Sequence, residues 1–190
     1  PFFCLNGDII VDGANLSALA KLTDEGASGM AVKQMPDASS YGLVRSEKGK
    51  VKAILEKPPS GGPGDVNAGI YLFQPSLFKE LEALEPSPRG EYELTATLND
   101  VAATGALHCH HIEGDWLDVG RPWDLLSANE MLLARLKPEI LGTVENNVTL
   151  KGWVRVEKGA LVKAGSYIEG PVLIQEQAIG LEAVTHHLVT

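Results

Sequence analysis

Asp118 lies in the run Trp116-Leu-Asp-Val-Gly120, where strand-like alternation stops and Gly120-Arg-Pro122 opens a helical stretch. Leu117 and Val119 flank it, so period-two alternation sends its carboxylate to the face opposite both. In open α/β sheets ligands gather at the carboxyl ends of strands, and a lone carboxylate there can hold Mg²⁺ against a phosphate. The same residue could instead cap the helix beginning near Pro122, and this stretch by itself leaves both readings open. Asp8, after Asn6-Gly7, reads by itself as a turn residue between two apolar runs. Glu56, followed by Lys57-Pro58, leaves the end of another strand-like run.

The elements that must position these groups are legible from periodicity. Pro1-Phe-Phe-Cys-Leu5 reads as a buried strand entering Asn6-Gly-Asp8, and residues 14–27 as a helix with Asn15 at its N-cap and Leu16, Leu19, Ala20 and Leu22 as an apolar stripe. Residues 29–35 form a short strand. Tyr41 to Glu56 reads as a β-hairpin turning at Glu47-Lys-Gly49, where Gly49 can adopt a positive φ. Pro58-Pro-Ser-Gly-Gly-Pro-Gly64 is a mobile linker by composition. Residues 67–73 give a strand, 75–84 a short helix with Pro75 in its first turn, 92–103 a further helix, and 106–112 a strand leading towards Asp118. The helix after Pro122 ends before Pro138.

Four of these segments, Asn6-Gly-Asp8, Glu56-Lys-Pro58, Asn67-Ala-Gly-Ile-Tyr-Leu-Phe73 and Trp116-Leu-Asp-Val-Gly120, resemble in their order the sugar nucleotidyltransferases that make nucleotide-diphosphate sugars, the glucose-1-phosphate thymidylyl- and uridylyltransferases. Each motif is weak alone, and the order of all four carries the resemblance. It implies a Rossmann-like α/β nucleotidyltransferase domain and a reaction between a nucleoside triphosphate and a sugar 1-phosphate that yields an NDP-sugar and pyrophosphate. Asp8 and Asp118 then match the two carboxylates that hold catalytic Mg²⁺. Glu56 matches an acceptor for sugar hydroxyls, Asn67 the amide beside it, and Lys57 a charge within reach of the sugar phosphate. Gly42 and Gly69 match positions where the backbone approaches the ligand, and Tyr41 a wall of the site. The family's triphosphate loop, Gly-x-Gly-Thr-Arg followed by Pro-Lys, has no match: Gly61-Gly-Pro-Gly64 lacks the Lys and the helix. The sequence therefore reads as an N-terminally incomplete nucleotidyltransferase domain. A non-catalytic homologue that binds a sugar phosphate is the alternative.

From Val148 the texture changes to a period of six, with aliphatics at Leu150, Val156, Val162, Ile168 and Ile174, and small or β-branched residues two positions before each. This pairing resembles the hexapeptide repeat of the left-handed β-helix, three hexads to a coil, with an array of antiparallel hairpins as the competing reading. Residues 1–137 are thus assigned to the α/β domain and 138–190 to a short, partial β-helix. Some relatives carry an acetyltransferase on such a helix, which gives a third function class, but two coils do not reach the repeats that form that site, so His186 and His187 are not assigned to it.

The net charge of −9 and a pI near 5.0 argue against nucleic acid or an anionic membrane as partner and leave small phosphorylated ligands open. No apolar run approaches the roughly 18 residues of a membrane span, and nothing resembles a signal peptide, so a cytoplasmic protein is expected. Homo-oligomers are expected from the resemblance. Cys4 and Cys109 read as reduced, buried small hydrophobes. His108, His110 and His111 do not share one face and lack a completing ligand set, so they read as structural. Trp116, Trp123 and Trp153 read as core or interface aromatics.

Overall fold

Alternation along two strands, β3 (Ser28–Met35) and β6 (Gly64–Phe73), accounts for the layers of the first half of the molecule. In a computed structural model, which describes residues 1–22, 26–87, 90–176, 178, 183–185 and 188–189, Met30, Val32, Tyr71 and Phe73 point to one face of the sheet and Ala31, Ile70 and Leu72 to the other. Backbone packing divides the chain into Pro1–Asp118 and Val119–Thr190.

The first unit also contains β1 (Phe2–Leu5), β2 (Ile9–Val11), α1 (Gly13–Leu22), β4 (Gly42–Glu47), β5 (Lys50–Glu56), α2 (Leu77–Glu82), α3 (Leu94–Ala103), β7 (Leu107–His111) and β8 (Trp116–Asp118). Six strands form one sheet in the order β1-β6-β3-β7-β5-β4, and β4 also pairs back onto β6. The β3–β7 ladder is parallel and the others are antiparallel. Leu77 of α2 and Leu98 and Ala102 of α3 close the Met30–Phe73 face, while Leu19 of α1 and Ile112 close the opposite one. Helices thus cover both faces, the layering of an α/β domain. Two short strands stand apart as an antiparallel ribbon, β2 with β8, in which Ile9 pairs with Asp118, Ile10 with Leu117 and Val11 with Trp116.

Several local expectations are corrected. Asp12 rather than Asn15 caps α1, its Oδ1 accepting from the Ala14 amide at 3.0 Å, because the helix starts two residues before Asn15. Cys4 is exposed, since β1 is an edge strand paired only with β6 among the described residues, and Phe3 and Leu5 beside it remain 42% accessible. Cys109 is buried as expected, and burial pushes its thiol pKa up. The hairpin turn at Lys48-Gly49 has φ values of 50° and 77°, the left-handed pair of a two-residue turn whose twist matches its strands.

The second unit begins with α4 (Asp124–Ala134). It continues through β9 (Glu139–Ile140), β10 (Thr143–Val144), β11 (Thr149–Lys151), β12 (Val154–Val156), β13 (Leu161–Val162), β14 (Tyr167–Glu169), β15 (Val172–Ile174), β16 (Ala183–Thr185) and β17 (Leu188–Val189). All pairings here are parallel. Thr143 meets Leu161, Thr149 meets Tyr167 and Val154 meets Val172, a step of 18 residues in each case, so three hexads make one layer and the hairpin-array reading is excluded for these strands. Val156, Val162, Ile168 and Ile174 have no solvent exposure and pack with Val154, Ala160, Val172 and Ala178. Leu150 departs from this pattern and lies at the surface, as do Trp123 and Trp153, which belong to no core among the described residues. Arg121 covers the Trp123 ring at 5.7 Å. His186 and His187 lie outside the described residues.

Candidate functional site

On one side, β6 pairs with β4 at Asp65–Val66 and with β1 at Ile70–Phe73, so Asn67, Ala68 and Gly69 fall where the two neighbouring strands part. Gly69 has a φ of +71°, and the register with β3 shifts between Met30 and Val32 at the same place. A bulge of this kind re-aims side chains, and the segments singled out in the sequence meet around it.

Asn6 donates its backbone N–H to the Gly69 carbonyl at 2.9 Å, and its side chain fills the place a Cβ on Gly69 would need, 2.6 Å from Nδ2. Gly69 is therefore required twice, by its left-handed backbone and by Asn6. Trp116 donates its indole N–H to the Ala68 carbonyl at 3.1 Å, and its ring meets Tyr41 edge to face with centroids 5.9 Å apart. Gly42 is the cross-strand partner of Glu56, and a Cβ there would lie 3.3 Å from Glu56 Oε2 and 3.5 Å from the Asn67 Cβ. Segments around residues 6, 42, 56 and 116 thus converge on three residues of one strand.

The polar groups are held from behind. Thr95, in the first turn of α3, donates its hydroxyl to Glu56 Oε2 at 2.9 Å. One helical turn on, the Asn99 side chain accepts from the Ile54 amide at 2.7 Å and donates to the Ile54 carbonyl at 2.9 Å, fixing the end of β5. The Tyr71 hydroxyl donates to Asn67 Oδ1 at 2.9 Å and accepts from Nδ2 at 2.7 Å, while the Gly69 amide donates to the same Oδ1 at 3.2 Å. Burial pushes the Tyr71 phenol up to about 12, with smaller contributions from the nearby Cys4 and Glu56 and an opposing one from Asn67. Tyr71 therefore stays neutral, and can donate and accept together, over any ordinary pH. Lys57 is exposed and has a φ of +41°, with its amide bonded to the Tyr41 carbonyl at 3.1 Å.

Asp8 is exposed in the turn between β1 and β2, and half-buried Asp118 ends β8 opposite Ile9, the residue after Asp8. The ribbon thereby brings the two carboxylates to one end. Asp118 does not cap the following helix, whose N-cap is Trp123, with no side-chain cap bond. Oxygen donors of this type suit a hard cation that takes its remaining ligands from phosphate and water, and no cluster of three or more His, Cys, Asp or Glu forms a fuller metal cage among the described residues. His110 contacts Asn15 Oδ1 at 3.1 Å and His111 contacts Asp65 at 2.9 Å, each with a protein partner of its own.

Sequence reasoning missed Thr95, Tyr71 and the role of Trp116. Tyr71 carried a signal, since it follows Asn67 by two steps of a period-two strand. Thr95 reaches Glu56 across 39 residues and gave none.

This fold and site define a class of protein, and comparison with known proteins agrees: residues 1–135 match the nucleotidyl transferase family, and the chain belongs to it. The α/β unit is the Rossmann-like domain of that family. Among its relatives is the bifunctional protein GlmU of Methanococcus maripaludis, 39% identical over 165 residues, which cover 85% of this chain and 39% of the relative. The bifunctional sugar-1-phosphate nucleotidylyltransferase/acetyltransferase of Sulfurisphaera tokodaii is 37% identical over 137 residues, covering 71% of this chain and 34% of the relative. The chain thus spans between one third and two fifths of the length of these two relatives. A solved UDP-glucose pyrophosphorylase shares the fold with a TM-score of 0.62 at 23% identity, over 71% of this chain and 55% of that one. No helix among the described residues is long and apolar enough to cross a membrane.

Proposed function

We propose that the protein is a sugar-1-phosphate nucleotidyltransferase, joining a nucleoside triphosphate to a sugar 1-phosphate with release of pyrophosphate. The observation that carries this reading is the convergence of four sequence-distant segments on Asn67–Gly69, where Glu56 and Asn67 flank Gly42 and exposed Lys57 follows Glu56 in the chain. Sugars present hydroxyl donors, and Glu56 Oε1 has no protein partner among the described residues, so it accepts from them while Thr95 holds Oε2. Lys57 meets the sugar phosphate as a point charge.

Such a transfer forms a bond from the sugar phosphate oxygen to the α-phosphorus and breaks the bond to pyrophosphate, and it rests on in-line positioning and charge stabilisation more than on covalent help. Asp8 and Asp118 would hold Mg²⁺, which when bound offsets the charge that develops on the phosphates. Trp116 and Tyr41 wall the sugar side, and Gly42 leaves room for Glu56 and Asn67 to sit side by side.

Residues 1–137 form the nucleotidyltransferase-like part in this reading and 138–190 the partial β-helix. The 18-residue step and inward-facing hexad positions support a left-handed hexapeptide-repeat coil. A cytoplasmic homo-oligomer without nucleic-acid or membrane partners fits the acidic composition.

The test is Mg²⁺-dependent pyrophosphate release by the full chain, with UTP, dTTP, GTP, CTP and ATP crossed against a panel of sugar 1-phosphates. Because the triphosphate loop has no match in this sequence, turnover with at least one pair is expected when an N-terminal extension supplies that loop, and Asp118→Asn in the extended protein should lower kcat by about a hundredfold or more. No turnover with any pair in either the chain or its N-terminally extended form, or full activity in Asp118→Asn, would overturn the assignment.

A further inference from the structure

The linker 58–64, mobile by composition, is pinned. Asp37, in the loop after β3, accepts through Oδ1 from the Gly62 amide at 3.2 Å and the Ser39 amide at 3.0 Å, and through Oδ2 from the Ser39 hydroxyl at 2.9 Å. The Ala38 amide donates to the Gly62 carbonyl at 2.9 Å, and Ala38 is fully buried although the loop around it is not. Asp37 Oδ1 lies 2.6 Å from where a Cβ on Gly61 would stand, so the linker backbone packs directly on the carboxylate.

These bonds continue to the site. The Tyr41 amide donates to the Ala38 carbonyl at 3.0 Å, the Lys57 amide to the Tyr41 carbonyl at 3.1 Å, and the Gly61 amide to the Pro58 carbonyl at 3.2 Å. The chain from Ala38 through Tyr41, Lys57, Pro58 and Gly61 to Gly62 therefore returns to Asp37 as a closed hydrogen-bonded ring. Three of its residues, Lys57, Gly61 and Gly62, have positive φ, at 41°, 49° and 97°. Glycine adopts that region freely, but lysine does so only where its surroundings hold it. The Gly62 end of the linker is secured by the Asp37 carboxylate and by Ala38. The bonds to the carboxylate hold Asp37 ionised, below the ordinary carboxylate range, the Ser39 amide contributing most.

We propose that Asp37 is a positioning residue of the sugar-phosphate site: it pins the 58–62 linker and thereby holds Lys57 in its left-handed conformation, presenting the ammonium to the phosphate of a sugar 1-phosphate. This rests on the reading of Glu56 and Lys57 given above. Asp37 itself touches no ligand, and its effect passes through Lys57.

A double-mutant cycle on the full chain isolates that path. Binding of hexose 1-phosphates, glucose 1-phosphate first, is measured by calorimetry for the wild type, Asp37→Ala, Asp37→Asn, Lys57→Met and Asp37→Ala/Lys57→Met. Asp37→Ala should weaken binding about tenfold, as loss of one charge-assisted contact would. Asp37→Asn keeps the acceptor oxygen and should restore most of it, and Asp37→Ala should add nothing once Lys57 is Met. Hydrogen exchange at the Lys57 and Gly62 amides should accelerate in Asp37→Ala without ligand. Additive losses, unchanged binding or unchanged amide protection would overturn the role of Asp37 while leaving the site intact. A wild type that binds no hexose 1-phosphate would instead remove the reading of the site, and the inference with it.

Discussion

Asn67 shows how much chemistry rests on groups that touch no ligand. Its amide oxygen is shared by the Tyr71 hydroxyl and the Gly69 amide, so both the side-chain orientation and the bulge depend on one buried phenol. Tyr71→Phe removes both bonds between the phenol and the amide, and a cost of about 1–3 kcal/mol in unfolding free energy is expected from denaturant titration. The wild-type Tyr71 phenol should ionise near pH 12 in an absorbance titration, because burial withholds the charge. At this scale the sequence pointed through short motifs to Asp8, Glu56, Asn67 and Asp118, the residues that the proposed function would use. Thr95 and Tyr71 were not recognised, because their meaning lies in a partner that only folding supplies.

At the scale of elements, the β2–β8 ribbon has three pairs, too few to hold a register unaided. A slip of one residue would turn Asp118 to the opposite face. Its far end is closed by Asn15, 5% exposed, which accepts from the Glu113 amide at 3.0 Å and donates to the carbonyls of Glu113 at 3.0 Å and Asp12 at 3.3 Å. Lys33 holds the same loop through the Gly114 carbonyl at 2.8 Å. Asn15→Leu leaves part-buried backbone groups of Asp12 and Glu113 without their side-chain partner and should cost about 1–3 kcal/mol, read as a lower urea midpoint with an unchanged m value. His110 shares Asn15, and burial lowers its pKa from the ordinary 6.5, with Glu113 opposing. The folded protein thus binds that proton less readily than the unfolded chain, so stability from this group is complete above about pH 6.5 and declines as pH falls through that value. His110→Gln should flatten that part of the stability profile. Periodicity located these elements to within a few residues. It could not foresee that Asp12 caps α1 and frees Asn15 to reach across 98 residues.

For the whole molecule, two kinds of order meet in one chain. The sheet order β1-β6-β3-β7-β5-β4 is built from long-range pairings and is not legible in the sequence, whereas the period of six in the second unit is legible and is compatible with its parallel ladders at an 18-residue step. Ile168, fully buried among the parallel strands of the second unit, is the most direct probe of that unit's core. Ile168→Ala should cost about 2–5 kcal/mol and appear in calorimetry as a shift of a separate transition, since a chain of two compact units need not unfold in one step.

The 18-residue step between Thr143 and Leu161, Thr149 and Tyr167, and Val154 and Val172 also sets a grammar for length. An insertion of one full step between layers adds a storey about 4.8 Å tall and leaves every wall stacked on its own kind. An insertion of one hexad keeps the inward and outward residues in phase yet turns each wall above it onto its neighbour's place. Shorter steps also occur, of 16 residues between Glu139 and Arg155 and between Tyr167 and Ala183 and of 15 between Leu173 and Leu188, so the turns between strands absorb small losses of length while the parallel pairing is kept.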